Sequence, residues 1–154
     1  MLRHLLLKLS APLVLVFLVA CTPGCNGKKL PTIVKAEGTV TLDGALVENA
    51  TILFLSEKHP YHAVGNTNAQ GRFVMRVVMP EYKGKAGACP GDYRVEMTKS
   101  VMGDKKPGAS DDEPVNINLR NELPVQYASI STSGLKITVP DTGSDQLKFE
   151  LTSK

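Results

Sequence analysis

The segment VKAEGTVTLDG, residues 34–44, has a period of two that decides the fold class. From Val34 to Leu42, every second residue is apolar or glycine, and the residues between them are polar or charged. Such alternation is typical of a β-strand with one buried face. Asp43 and Gly44 follow as a dipeptide that favours a hairpin turn. The segment therefore predicts a strand followed by a tight turn.

Similar patterns recur through the rest of the chain. Residues 49–56, NATILFLS, are almost wholly apolar and predict a central strand, whereas the polar residues 103–114 predict a long surface loop. No window shows a convincing helical period. The other predicted strands cover residues 61–67, 71–79, 91–100, 123–130, 134–139 and 146–153. Seven or eight short strands at this spacing predict an all-β fold, a single antiparallel β-sandwich.

The first twenty residues have a different character. Arg3 and Lys8 precede an uncharged apolar run, residues 10–20, which is about half the length that spans a bilayer as a helix. A positive start, an apolar stretch and a small final residue predict a cleaved signal peptide over residues 1–20. Residues 21–31 are rich in Pro, Gly and Lys and predict a flexible tether. The folded domain is then predicted over residues 32–154.

The residues at the end of the predicted leader carry a more specific signal than its overall composition does. Leu18-Val19-Ala20-Cys21 resembles the lipobox of bacterial lipoproteins. The resemblance implies that Cys21 carries lipid and becomes the first residue of the mature chain. Two or more acyl chains anchor a protein stably, which places the domain on the extracytoplasmic side of the cell envelope, at the outer membrane or the periplasmic face. An ordinary signal peptide with an incidental cysteine is the alternative.

Four further segments carry a family resemblance. EGTVTLDGALVENATILFL (37–55), NAQGRFVM (68–75) and GACPGDYRVEM (87–97) resemble, in order and spacing, the carboxypeptidase-regulatory-like or transthyretin-like domain. Residues 121–151 are similar to the tail of small bacterial lipoproteins that carry this domain. The resemblance implies an Ig-like, prealbumin-like β-sandwich over most of the mature chain.

The charge balance bears on partners. Removing Arg3 and Lys8 with the leader leaves 16 of the 18 basic residues against 15 acidic ones, a formal charge near +1. This balance gives no electrostatic case for nucleic-acid binding. The expected partners are the membrane, through Cys21, and an envelope protein or a glycan, while the oligomeric state is left open.

The two remaining cysteines, Cys25 and Cys89, form a candidate disulfide. Thiols outside the cytoplasm can oxidise, and this bridge would join the tether to the domain. Sequence alone does not place two sulfur atoms within bonding distance, so two free thiols remain the alternative.

Candidate chemistry is sparse. His59 and His62 with Glu57 could hold a metal, but no third ligand has a signature spacing, and solvated loop histidines are the expectation. The acidic residues 111–113 could bind calcium but read more readily as a solvated loop. Cys89 lacks a catalytic partner, and neither a serine elbow nor a phosphate-binding glycine loop is present.

The sequence therefore predicts a protein without catalytic activity, bound metal or cofactor. It favours a structural or protein- and peptide-binding module in the envelope. A carbohydrate- or cell-wall-binding module is the alternative, disfavoured because the chain has no tryptophan to form a sugar platform. An unrecognised hydrolase is a third and weaker interpretation.

Overall fold

The structure, a computed structural model, describes residues 30–102 and 119–154, and almost all of its regular structure is β-strand. The all-β prediction is confirmed, and the described residues contain no α-helix. The strands are β1 (Ala36–Leu42), β2 (Ala45–Leu46), β3 (Thr51–Ser56), β4 (His62–Asn66), β5 (Arg72–Val74), β6 (Arg76–Val78), β7 (Gly91–Thr98), β8 (Ser100–Met102), β9 (Leu119–Asn121), β10 (Leu135–Val139) and β11 (Ser144–Leu151). The predicted leader, nearly all of the tether and the polar residues 103–114 lie outside the described residues.

The strands form two larger sheets and a ribbon. One sheet has five antiparallel strands in the order β10-β7-β3-β4-β6. The other has the order β11-β1-β2, with β5 also paired to β1. Strands β8 and β9 pair as a separate antiparallel ribbon. The prediction that residues 49–56 supply a central strand is confirmed, because β3 lies in the middle of the five-stranded sheet.

One pairing corrects the expectation of a wholly antiparallel arrangement. Strands β1 and β11 run parallel, with Thr39 opposite Lys148 and Leu42 opposite Leu151. Parallel neighbours need a long connection, and here nearly the whole domain separates the two strands along the chain. The strands also approach closely, since a side chain at Gly38 would overlap the Leu147 carbonyl group. The period of two reveals which face is buried but not the direction of the neighbouring strand.

Two predicted strands are also corrected. Residues 123–130 contain a short 3₁₀ turn, Val125–Ala128, in place of a strand. Leu123 before the turn and Tyr127 within it are buried, and Pro124 between them has no backbone N–H to donate to a neighbouring strand. Residues 71–79 form two strands, because the chain leaves one sheet and joins the other at Met75.

The core is one cluster of buried residues contributed by both larger sheets. Phe54 of β3 is fully buried, and its ring centroid lies 6.3 Å from that of Phe73 in β5 and 6.0 Å from that of Phe149 in β11. Aromatic pairs at such separations stabilise a contact beyond the apolar area they bury. The inward positions predicted for β7 and β11 are buried as expected: Tyr93, Val95, Met97, Leu147, Phe149 and Leu151.

In the part of the chain that the structure describes, no helix has the length and apolar character needed to cross a membrane.

Candidate functional site

The candidate site is built on the two consecutive strands β5 and β6, residues 72–78. Phe73, Met75 and Val77 point into the core, whereas Arg72, Val74, Arg76 and Val78 are exposed on the outer face. The chain passes from one sheet to the other at Met75, whose N–H donates to the Ala36 carbonyl oxygen of β1 at 2.9 Å. The same outer face therefore presents a row of arginine and valine side chains across the junction of the two sheets.

A groove of about 300 Å³ is lined by residues of β4, β5 and β6 and of the turn before β5. Its lining residues are Val64, Gly65, Asn66, Asn68, Arg72, Val74 and Arg76. The lining therefore combines valine side chains and asparagine amides with two guanidinium groups and contains no carboxylate.

Gly65 allows the close approach at this groove. A Cβ atom there would lie 2.8 Å from the Met75 sulfur and 2.9 Å from the Val74 carbonyl oxygen. Both separations are shorter than a real carbon atom tolerates, so a larger residue would push β4 away from β5. The shape of the groove thus depends on a glycine in mid-strand.

A tight turn positions Arg72. The Asn68 side-chain oxygen accepts hydrogen bonds from the backbone N–H groups of Gln70 and Arg72, both at 3.0 Å. Asparagine favours such turns because its side chain can bond the backbone two residues onward. Gly71 supplies the positive φ of 64° that this turn requires before the strand begins. The backbone of Arg72 is therefore fixed at the rim of the groove.

The Arg76 side chain is held by a hydrogen bond to the loop that follows β6. Its Nη1 donates to the Gly84 carbonyl oxygen at 3.2 Å, which leaves its other guanidinium N–H groups for other partners. Arg72 and Arg76 are four residues apart on one extended stretch, so their Cα atoms are separated by roughly 13 Å. Val74, which is 40% exposed, lies between them.

The two guanidinium groups lack ionic partners among the described residues. The ion pairs found there lie elsewhere and join Lys35 to Glu37 and Asp145, Lys58 to Asp92, Arg94 to Glu57, and Lys99 to Glu122. The charge of Arg72 does extend to Asp145, whose pKa is lowered chiefly by its hydrogen bond and charge interaction with Lys35 and slightly by Arg72. The groove thus presents two guanidinium groups that form no ion pair with the described residues.

The predicted histidines lie at a different place, after β3 and at the start of β4. The His59 ring packs 5.1 Å from Tyr61 and 5.8 Å from Tyr93, measured between ring centroids. His59 Nε2 and His62 Nδ1 are buried without a hydrogen-bond partner among the described residues. Burial lowers the pKa of His59 because it penalises the charged ring. These histidines are partly buried packing groups, unlike the solvated loop residues expected.

Glu57 does not join the histidines. Its carboxylate pairs with Arg94 Nε at 3.1 Å. Among the described residues, no three His, Cys, Asp or Glu side chains are grouped so that they could hold a metal ion.

Cys89 is buried beside Tyr93. It is 3% exposed, its burial raises the pKa of the thiol, and its carbonyl oxygen accepts a hydrogen bond from the Tyr93 hydroxyl at 2.7 Å. Burial also raises the pKa of Tyr93. A thiol with a raised pKa is a poor nucleophile. Cys21, Cys25 and the acidic residues 111–113 lie outside the described residues, so the proposed lipid site, disulfide and acidic loop stay predictions.

The arginine groove was missed by the sequence interpretation. Its signal was present in RFVMRVV, residues 72–78, where arginine and valine alternate with core residues. The pattern reveals that Arg72 and Arg76 share a face, but not that β4 lies beside them. Comparison with known protein families, characterised proteins and solved structures gave no match for this chain.

Proposed function

We propose that this protein is a non-catalytic, lipid-anchored domain of the bacterial cell envelope that binds an acidic, extended peptide segment of an envelope protein in the arginine groove. The domain is proposed to be an Ig-like, prealbumin-like β-sandwich of the carboxypeptidase-regulatory-like type. The observation that carries the binding role is the pair Arg72 and Arg76, which face one groove with no carboxylate in its lining.

The two arginines favour an anionic ligand. A guanidinium group is well matched by a carboxylate, because two parallel N–H groups meet its two oxygen atoms. Arg72 and Arg76 have no ionic partner among the described residues, so binding would not first break an existing ion pair. The lining contains no histidine, carboxylate or thiol side chain, which supports a binding role rather than acid–base catalysis.

The spacing favours a peptide as the occupant. Residues i and i+4 of an extended peptide are also roughly 13 Å apart, which matches the separation of the two arginines. Val74 between them would face residue i+2, for which an apolar side chain fits. The preferred sequence is thus acidic at i, apolar at i+2 and acidic at i+4.

A glycan remains the alternative occupant. The lining contains no aromatic side chain on which a sugar ring could stack. Asn66 and Asn68 could bond hydroxyl groups, but Asn66 Nδ2 already donates to Thr51 Oγ1 at 3.0 Å, and the Asn68 oxygen is engaged in its turn. These contacts favour the peptide.

Calorimetry with a peptide carrying Glu, Val and Glu at i, i+2 and i+4 tests the binding role. Arg72→Gln and Arg76→Gln should each weaken binding by about tenfold or more, because each removes a charge-assisted hydrogen bond of roughly 1.5–3 kcal/mol. A peptide with Gln in place of Glu is the ligand control. Arg120→Gln is the matched protein control, since Arg120 is exposed in β9 of the separate ribbon. Equal affinity for both peptides, or equal loss with Arg120→Gln, would remove the groove from consideration.

The proposed lipid anchor needs a test of its own, because the chain could bind the peptide without being anchored, or be anchored without binding the peptide. Cells expressing the full chain should incorporate labelled palmitate into the protein, and Cys21→Ser should abolish both the label and leader cleavage. Cys25→Ser is the matched control and should retain both. Normal processing and membrane retention of the Cys21→Ser chain would contradict the proposed anchor.

A further inference from the structure

Strand β11 forms the end of its sheet. It pairs with β1 on one side, and no strand among the described residues pairs with its other side. An unpaired edge presents a row of backbone donors and acceptors that can template pairing with another chain. Residues 144–151 contain no proline, the residue that most often blocks such pairing.

The direction of the backbone groups follows from one hydrogen bond. The Leu151 carbonyl oxygen accepts from the Asp43 N–H, just beyond β1, at 2.9 Å. Backbone groups alternate between the two sides of a strand, so those of Phe149 also face β1, whereas those of Lys148 and Glu150 point to the open edge. The edge therefore offers two donors and two acceptors within three residues.

The regular part of this edge is short and well defined. Before it, the register shifts between the pairs Ala36–Ser144 and Gly38–Leu147, which is a β-bulge in β11. After it, the Thr152 N–H donates to the Tyr127 hydroxyl at 3.0 Å, so the edge is already occupied there. Residues 147–151 remain as the regularly paired stretch, in which the Lys148 and Glu150 side chains are exposed.

The sequence of this stretch is self-complementary. LKFEL, residues 147–151, reads the same in both directions except that Lys148 and Glu150 exchange places. In an antiparallel pair centred on Phe149, Lys148 of each copy therefore faces Glu150 of the other. Both side chains are exposed on the outer face, and their neighbours on β1 are the uncharged residues Thr39 and Thr41.

We propose that a second copy of this chain adds to β11 in antiparallel fashion, about a two-fold axis through Phe149. Lys148 and Glu150 would form four backbone hydrogen bonds across the axis, two for each reciprocal pair, with an ion pair beside each. The result is an isologous dimer with one continuous sheet across both copies. The dimer edge lies on β11 and the arginine groove on β4–β6, so the two proposals stand independently.

The arrangement permits a charge-exchange test on the full chain, purified in detergent. Detergent-matched sedimentation velocity over a concentration series should show a monomer–dimer equilibrium. Lys148→Glu or Glu150→Lys alone places like charges opposite each other in both pairs and should raise the dimer dissociation constant tenfold or more, by roughly the range known for cross-strand pairs. The double variant, Lys148→Glu with Glu150→Lys, restores opposite charges and should restore the dimer.

Mixing provides a sharper arm of the same experiment. The two single variants should each sediment as monomers but form a dimer with each other, because each supplies the charge the other lacks. Lys136→Glu is the matched control, an exposed lysine on the edge strand β10, and should sediment like the parent chain. If all chains sediment alike, whether as monomers or as dimers, or if mixing produces no dimer, the proposal is overturned. Circular dichroism of each variant checks that the fold is retained.

Discussion

Phe54→Ala is the perturbation that most sharply tests the packing of the two sheets. Phe54 is fully buried in β3 and contacts rings from both sheets, at centroid distances of 5.5 Å to Tyr93, 6.0 Å to Phe149 and 6.3 Å to Phe73. Removing a buried phenylalanine ring costs about 3–5 kcal/mol, through lost burial and the cavity left behind. A domain of this size is typically stable by about 5–15 kcal/mol, so we expect loss of about a fifth or more of the total.

Urea unfolding followed by circular dichroism measures this loss. A double-mutant cycle with Phe149→Ala should give a coupling of about 0.5–1.5 kcal/mol, because these rings meet across the two sheets. Val125→Ala, at a position 85% exposed, is the control and should change stability by less than about 0.5 kcal/mol. A loss below about 1 kcal/mol for Phe54→Ala, or no coupling to Phe149, would refute the contact between the two sheets at Phe54.

Three further predictions concern single positions. Gly38→Ala should destabilise the domain by about 1–3 kcal/mol in urea, since the added methyl group meets the Leu147 carbonyl group. An unchanged midpoint would contradict the close approach of β1 and β11 at this position. Burial lowers the pKa of His59 from 6.5, so the unfolded chain takes up a proton more readily than the folded one. The free energy of unfolding should therefore decline as the pH falls below about 6.5, and His59 should cause no such decline above that pH. The urea midpoint of His59→Gln should fall less over the same pH range. An identical pH profile for the two proteins would refute this. After reduction, Cys89 should react with iodoacetamide at least about tenfold more slowly in the folded chain than in urea, because its thiol is buried and its pKa is raised. Mass spectrometry measures the two rates, and equal rates would contradict the burial of Cys89.

The alternation of side chains predicted much of the fold, because a half-buried strand imposes its period directly on the sequence. The central position of β3 and the buried faces of β7 and β11 were confirmed on this basis. The direction of β11 could not be read in the same way, since a strand buries the same face in a parallel or an antiparallel pair. Nor could the sheet change at Met75, because the period of two continues unbroken through it.

The turn at residues 125–128 was missed for a local reason. Pro124 lacks a backbone N–H and disfavours a paired strand, and this signal should have outweighed the apolar residues around it.

The arginine groove was missed because it depends on residues that are distant in the sequence. Residues 72–78 show that Arg72 and Arg76 share a face, but the cleft also requires β4, which lies beside them only in the folded chain. The lipid attachment predicted at Cys21 and the disulfide predicted at Cys25 concern residues outside the described part of the chain, so the fold does not bear on them.

Titration of the isotope-labelled full chain with the acidic peptide, followed by amide chemical shifts, tests the proposed binding role most directly. The account predicts that saturable shifts concentrate in residues 64–68 and 72–76, that the glutamine peptide produces none, and that Arg72→Gln combined with Arg76→Gln abolishes them. Saturable shifts centred on another surface, or no shifts at a peptide concentration of about 1 mM, where even weak binding of about −4 kcal/mol would register, would contradict it.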